Sequence, residues 1–325
     1  MKSNQILVIT LSNIGDVIVT TPVMAALKSQ FPEARLTVVC GPRTVSILKG
    51  SRMIDELVVY DKHARLSEKL KFIIQLRRKK YDLVVDLRHT AIPYLVSAKQ
   101  KSPIFRGGKV LPLHEKHLVI LKAMKLSTEI RQRFDFFTPE EEASVLAKIQ
   151  KRGIRADASW IVIAPFAASE LKTWTFSGFK ALVTQLLESF SGEILLVGGE
   201  REKSMMGSLA QIHPQRVINL AGETSLRELS ALVNRAALLV ANDSSVVHLG
   251  FEMNRPTVAI FGPTDPALSG RKGPRFRVAQ HTAPCVPCEQ AHCRLDRRVC
   301  LDDLAPETIF QACQELLSHA LQSSS

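Results

Sequence analysis

ILVITLSNIGDV, residues 6–17, is the stretch on which the fold turns. Ile6 to Thr10 is a short apolar, β-branched run and reads as a buried strand. The chain then turns through Leu11-Ser12-Asn13-Ile14-Gly15-Asp16, and a helix is expected from Val17. Gly15 permits the tight turn. Asp16 falls at the helix N-terminus just beyond the strand's carboxyl end, where open α/β sheets hold ligands. Two readings of Asp16 follow: a helix N-cap, or a carboxylate placed to take a proton from an acceptor hydroxyl.

Working outward, the same strand-then-helix grammar repeats. Apolar runs at 36–40, 57–60 and 83–87 are separated by amphipathic stretches such as 17–30 and 66–79. Spacers of helix length between strands imply βαβ units, a parallel sheet and right-handed crossovers. A polar, helix-prone stretch at 139–152 ends at Gly153. A second alternating series begins at Trp160 and continues through 194–198, 216–220, 237–241 and 257–261. The expected fold is therefore α/β, with two Rossmann-like, doubly wound domains (1–152 and 153–325) facing a cleft, hinged near 150–157. The length of 325 residues suits two cores of ordinary size. Neither half carries G-x-G-x-x-G or a P-loop after its first strand, which weighs against dehydrogenase and NTPase readings.

Charge is unevenly placed. The whole chain carries a net +12, and residues 1–150 hold 25 Lys and Arg against 14 Asp and Glu. Residues 151–325 are nearly balanced, with 18 against 17. The basic half includes the run Arg77-Arg78-Lys79-Lys80 and suits an anionic partner: nucleic acid, an acidic membrane surface, or a phosphorylated substrate. Aromatics are sparse at 6%, with no aromatic–basic platform, so nucleic acid is not the expected partner. The apolar runs are about five to seven residues, far below the roughly 20 needed to cross a bilayer. With no leader-like segment either, a cytoplasmic protein is expected.

In the second half, each strand leads into polar residues. Lys172-Thr173-Trp174 follows the first, and Gly198-Gly199-Glu200 the next. Asn242-Asp243-Ser244-Ser245, with His248 one turn further on, and Gly262-Pro263-Thr264-Asp265-Pro266 follow later strands. Singly these read as caps, turns or solvated side chains. Together they set a cation, carboxylates, hydroxyls and helix N-terminal amides on one rim, which is what a nucleoside diphosphate requires.

The ordered set resembles the glycosyltransferase family 9 heptosyltransferases, GT-B enzymes of the lipopolysaccharide inner core. The resemblance rests on SNIGDVIVTTP, YDLVVDL, K-x-W, GGE, LAGETSL, NDSSVVH and FGPTDP, in the family's order. It implies inverting transfer of heptose from ADP-heptose, with Asp16 as base and Lys172 on the donor phosphate. It further implies Glu200 on the donor ribose, Thr224 near the nucleobase, and Asp243, Ser244, Ser245 and His248 in the sugar and phosphate motif. Ser245 stands where the family mostly has Gly, Thr175 where Pro usually follows K-x-W, and Ala167-Ala168 where hydroxyls are common. Arg43 and Arg88, each just after a strand, are candidate contacts to an anionic lipid A-core acceptor. No cofactor is implied, and the expected workplace is the inner face of the bacterial inner membrane, held peripherally at an acidic surface. Two other readings stand beside this one: a family 9 transferase using another donor, such as an N-acetylhexosamine nucleotide, and a non-catalytic sugar-nucleotide-binding protein.

Cys285, Cys288, Cys293 and Cys300 form C-x2-C-x4-C-x6-C in a loop with Pro and Arg. Either a structural metal knuckle or reduced, packed thiols would suit that spacing in a cytosolic chain. Cys40 and Cys313 read as buried hydrophobes.

Overall fold

The computed structural model describes residues 4–103, 111–155, 157–288 and 292–322. The chain divides into two units, Met1–Thr138 and Pro139–Ser325.

The first unit is built on five parallel strands: β1 (Gln5–Ile9), β2 (Arg35–Cys40), β3 (Glu56–Val59), β4 (Lys80–Asp86) and β5 (Ser97–Lys101), in the order β3-β2-β1-β4-β5. Ile6 pairs with Leu36 on one side and Leu83 on the other. β1, β2 and β4 are almost entirely buried, as strands covered on both faces must be, and hence read as continuous apolar runs. The edge strand β5, Ser-Ala-Lys-Gln-Lys, is too polar for its pattern to announce a strand.

The second unit holds six parallel strands: β6 (Trp160–Ala164), β7 (Glu193–Leu196), β8 (Val217–Asn219), β9 (Leu238–Asn242), β10 (Thr257–Phe261) and β11 (Phe276–Gln280). Their order is β11-β10-β9-β6-β7-β8. Both sheets are thus doubly wound, and in each the connections reverse direction between two neighbours, β1 and β4 or β6 and β9. Those are the switch points at whose carboxyl ends ligands bind.

Two helix boundaries differ from expectation. The 17–30 stretch is two helices, Ile14–Ile18 and Thr21–Gln30. The hydroxyls of Thr20 and Thr21 donate to the carbonyls of Val17 and Ile18, and Pro22, lacking an N–H, can open a helix but not sit inside one. The helix Pro139–Gln150 belongs to the second unit, so the division falls after Thr138 rather than after Arg152. Charge explains this. Its acidic first turn meets the helix Leu226–Arg235: Arg227 Nε lies 2.8 Å from a Glu141 oxygen and Arg235 3.5 Å from Glu142. Further along, Lys148 Nζ lies 2.7 Å from Glu228 Oε1.

Among the described residues no helix is long and apolar enough to cross a membrane.

Candidate functional site

The loops at the carboxyl ends of β6, β9 and β10, three neighbours in the second sheet, converge on one carboxylate. Asp243, directly after β9, is only 3% exposed. Lys172, in the turn Glu170–Lys172 after β6, donates from Nζ to Asp243 Oδ2 at 2.7 Å. Thr264, after β10, donates its hydroxyl to the same oxygen at 2.7 Å. A carboxylate this closed to water needs such charge-assisted partners. Lys172 itself is 36% exposed, so its ammonium, with three N–H donors, still has capacity for an incoming anion. The helix Ser245–Glu252 starts immediately after this carboxylate, capped by Ser244, whose oxygen accepts from Val246 N. Its free N-terminal amides therefore open at the same sheet edge. His248 is buried one turn inside, its ring edge-on to Phe251.

The lysine turn is braced from behind. Arg298 donates from one nitrogen to the carbonyls of Glu170 (2.6 Å) and Thr173 (2.7 Å), straddling Lys172. Asp302 holds the arginine in place by accepting from its Nη2 and its backbone N–H. Trp174 adds two ties: its backbone N–H donates to Asn242 Oδ1 and its indole to the Leu304 carbonyl. A Cβ on Gly178 would stand 2.4 Å from the Trp174 ring, so only glycine fits under it. Thr175, in place of the expected proline, caps the helix Phe176–Ser189 by accepting from Gly178 N. Thr264 belongs to the rim read from the sequence in residues 262–266 without a role of its own, and Arg298 was not singled out. Thr264 had a local signal, its place in the turn after a strand, whereas Arg298 lies 128 residues from Glu170 and had none.

Glu200 follows β7 and is largely exposed, with Lys203 at 3.5 Å. The turn after β8 comes close to it: a Cβ on Gly222 would meet Glu200 Oε2 at 1.9 Å, and Gly222 has φ +75°. Thr224, half-buried, lies in that same turn. Glu200 and Thr224 thus share the β7–β8 side of the edge, and Lys172, Asp243 and Ser244 the β6–β9 side.

In the first unit, Asp16 lies in the helix Ile14–Ile18 after β1. Asn13, not Asp16, is the N-cap residue, and its amide donates to Asp16 Oδ2 at 2.9 Å. Asp16 stays half-exposed. Arg43 is exposed in the turn Pro42–Thr44 after β2. That turn approaches the β1 loop so closely that a Cβ on Gly41 would lie 3.1 Å from Ser12. Arg88 follows β4 in a loop tied by Asp86, which accepts from the Arg88 and Thr90 backbone N–H groups and the Thr90 hydroxyl. All three candidates therefore sit at strand carboxyl ends. His117 is a further group that the sequence did not single out. It is buried, its Nδ1 has no hydrogen-bond partner among the described residues, and burial, with Lys116 and His89 adding to it and Asp16 opposing, pushes its pKa down to about 4.

The four cysteines of the loop differ in exposure, and Cys285, Cys288 and Cys293 all lie near enough to Cys300 to act on its thiol electrostatically. Cys285 and Cys293 are exposed, Cys288 is half-buried and Cys300 is buried. Among the described residues, no group of three or more His, Cys, Asp or Glu is arranged to hold an ion. Cys300 and Cys313 pack in the second core, and burial pushes both thiols up. Cys40 is likewise buried with a raised pKa.

Comparison with known proteins finds that residues 69–298 match the family described as glycosyltransferase family 9 (heptosyltransferase). The lipopolysaccharide heptosyltransferase 3 of Escherichia coli is 27% identical over 282 residues, covering 77% of this chain and 81% of its own. Among solved structures, the E. coli ADP-heptose lps heptosyltransferase II superimposes with a TM-score of 0.76 at 20% identity, covering 100% of each chain. A glycosyl transferase family 9 structure from Veillonella parvula gives 0.78 at 20% identity, covering 98% of each. Likeness at that identity speaks for the fold, the GT-B class with its two Rossmann-like units.

Proposed function

The chain belongs to glycosyltransferase family 9, and on that premise we propose that it transfers heptose from ADP-heptose onto the lipopolysaccharide inner core. The observation that carries this reading is the cluster of Lys172, Asp243 and Thr264 beside the amides that open the helix Ser245–Glu252. A cation held by a buried carboxylate next to a helix N-terminus, at a switch point, suits a diphosphate.

The transfer is a single displacement with inversion. The acceptor oxygen bonds to the anomeric carbon while the bond from that carbon to the diphosphate oxygen breaks, and Asp16 takes the hydroxyl proton. Negative charge growing on the departing ADP is stabilised by Lys172 and by the amide after Ser244. Asp243 holds Lys172 in place, and His248 packs the helix that presents that amide. Glu200 accepts from the ribose hydroxyls, and Thr224 lies toward the nucleobase. Arg43 and Arg88 hold anionic groups of the acceptor.

The acceptor is a membrane-bound anionic glycolipid, so the enzyme works peripherally at the cytoplasmic face of the inner membrane. The first unit's charge supports this: residues 1–138 hold 24 Lys and Arg against 11 Asp and Glu, and residues 139–325 hold 19 against 20.

The test is to offer the purified protein ADP-heptose or UDP-sugars with truncated lipopolysaccharide acceptors. Heptose incorporation from ADP-heptose is expected. Transfer from a UDP-N-acetylhexosamine alone would replace the donor, and binding without transfer to any acceptor would remove the enzyme reading.

A further inference from the structure

The helix Leu66–Arg77 buries one apolar face and leaves a second one bare. Phe72 and Leu76 are buried in the first unit's core. Leu66, Leu70 and Ile74 are spaced four apart, so they line a single stripe, and they are 73%, 55% and 55% exposed. The short helix Ile92–Leu95 packs against this one and adds exposed Tyr94 and Leu95. Scattered exposed leucines need no explanation, but an apolar stripe on one helix with a tyrosine on its neighbour is a surface that lacks its partner.

Charge identifies the partner. Lys71, Arg77 and Arg78 are exposed on the same helix and its C-cap, and Lys101 lies over the Tyr94 ring at 5.9 Å. The one acid in the helix, Glu68, is turned back to cap it by accepting from Arg65 N–H. Lys79, next in line, is taken up by Glu56 and contributes less. An amphipathic helix with apolar residues on one side, cations beside them and an aromatic at the rim fits an anionic bilayer surface, which supplies both acyl boundary and negative charge. We infer that the helix Leu66–Arg77, with Tyr94 and Leu95, docks the first unit on an acidic lipid surface. The inference rests on the proposed transfer to a membrane-bound acceptor for its purpose, and deepens it by naming the surface.

The experiment is sedimentation of the full chain with vesicles of phosphatidylglycerol and phosphatidylcholine in equal parts, and with phosphatidylcholine alone, at low and high salt. The wild type is expected to prefer the anionic vesicles and to keep a salt-resistant share of its binding. The variant carrying Leu66→Ser, Leu70→Ser and Ile74→Ser loses that share, a fall on the order of a hundredfold. The variant carrying Lys71→Gln, Arg77→Gln and Arg78→Gln loses the salt-sensitive share instead. These side chains are exposed, so both variants fold, which an unchanged thermal unfolding profile confirms. Vesicle binding by the serine variant equal to wild type would overturn the docking surface. So would sedimentation velocity showing a wild-type dimer that the serine variant loses while vesicle binding stays, because the stripe would then be covered by a second copy. Heptose transfer to detergent-dispersed acceptor, measured alongside, keeps failure of the docking surface separate from failure of the proposed reaction.

Discussion

Asp243 draws three strand ends together, and the single side chains around it carry separable roles. Lys172→Ala is expected to weaken ADP binding by about 1.5–3 kcal/mol, the range of a charge-assisted hydrogen bond, as read by calorimetry. Arg298 reaches the proposed donor site only through the lysine turn, so Arg298→Ala should cost less, about 1 kcal/mol. The double variant should bind ADP no more weakly than Lys172→Ala alone, because the brace has nothing left to aim; additive losses would make Arg298 a general stabiliser. Asp16→Asn tests the proposed base, which serves the other reactant. It should slow turnover by about two to four orders of magnitude while ADP affinity holds, and turnover that survives would remove Asp16 as base. Gly178→Ala forces a methyl against the Trp174 ring and should cost about 1–3 kcal/mol of stability, seen as a lower Tm.

At the scale of the element, the helix Pro139–Gln150 depends on one carboxylate. Burial alone would raise the pKa of Glu228, but Lys148, the Ser225 N–H and the Ser144 hydroxyl outweigh it and hold the group at about 2. A carboxyl whose folded pKa lies below its ordinary value of 4.5 stabilises the fold above that pH. The stabilisation is lost as pH falls from there toward 2. Amide exchange in residues 139–150, taken relative to the intrinsic rate of each amide at the same pH, should accordingly speed up across that acidic window in the wild type. In Glu228→Gln it should already be fast at neutral pH and change little on acidification. An acid response that is the same in both proteins would show that other groups hold the helix.

For the whole molecule, the partition of charge is sharper at the observed boundary than at the expected one. Moving the acidic helix to the second unit leaves residues 1–138 with 24 cations against 11 anions, and residues 139–325 with 19 against 20. Acceptor binding, governed by a broad positive field, should weaken steeply as salt rises through the physiological range, where the screening length is about 8 Å. Donor binding should respond less, because its proposed contacts are a lysine held on a buried carboxylate and the amides at one helix N-terminus. Titrating both ligands at low and high salt tests this, and equal salt slopes would reduce the charge asymmetry to a solubility feature.

Buried strands announce themselves, and that accounts for most of what could be read from the sequence. Runs such as Ile6–Thr10 and Leu238–Ala241 are apolar because both faces of a parallel strand are covered, so nine of the eleven strands among the described residues and the doubly wound class were legible. Polar residues in the loops and first turns that follow those runs, among them Asp16, Lys172 and Asp243, fall at the carboxyl edge once the strands are parallel. The edge strands β5 and β11 escaped, since an edge tolerates lysine, glutamine and arginine where a centre does not. What only the tertiary structure decided is which loops meet. The order β11-β10-β9-β6-β7-β8 puts Lys172 on Asp243, 71 residues away, beside Thr264, and closes Arg298 over the lysine turn. It also gave the helix Pro139–Gln150 to the second unit through ion pairs with Arg227 and Glu228. Periodicity reports burial within one element, whereas pairing between distant side chains depends on strand order, which no local pattern carries.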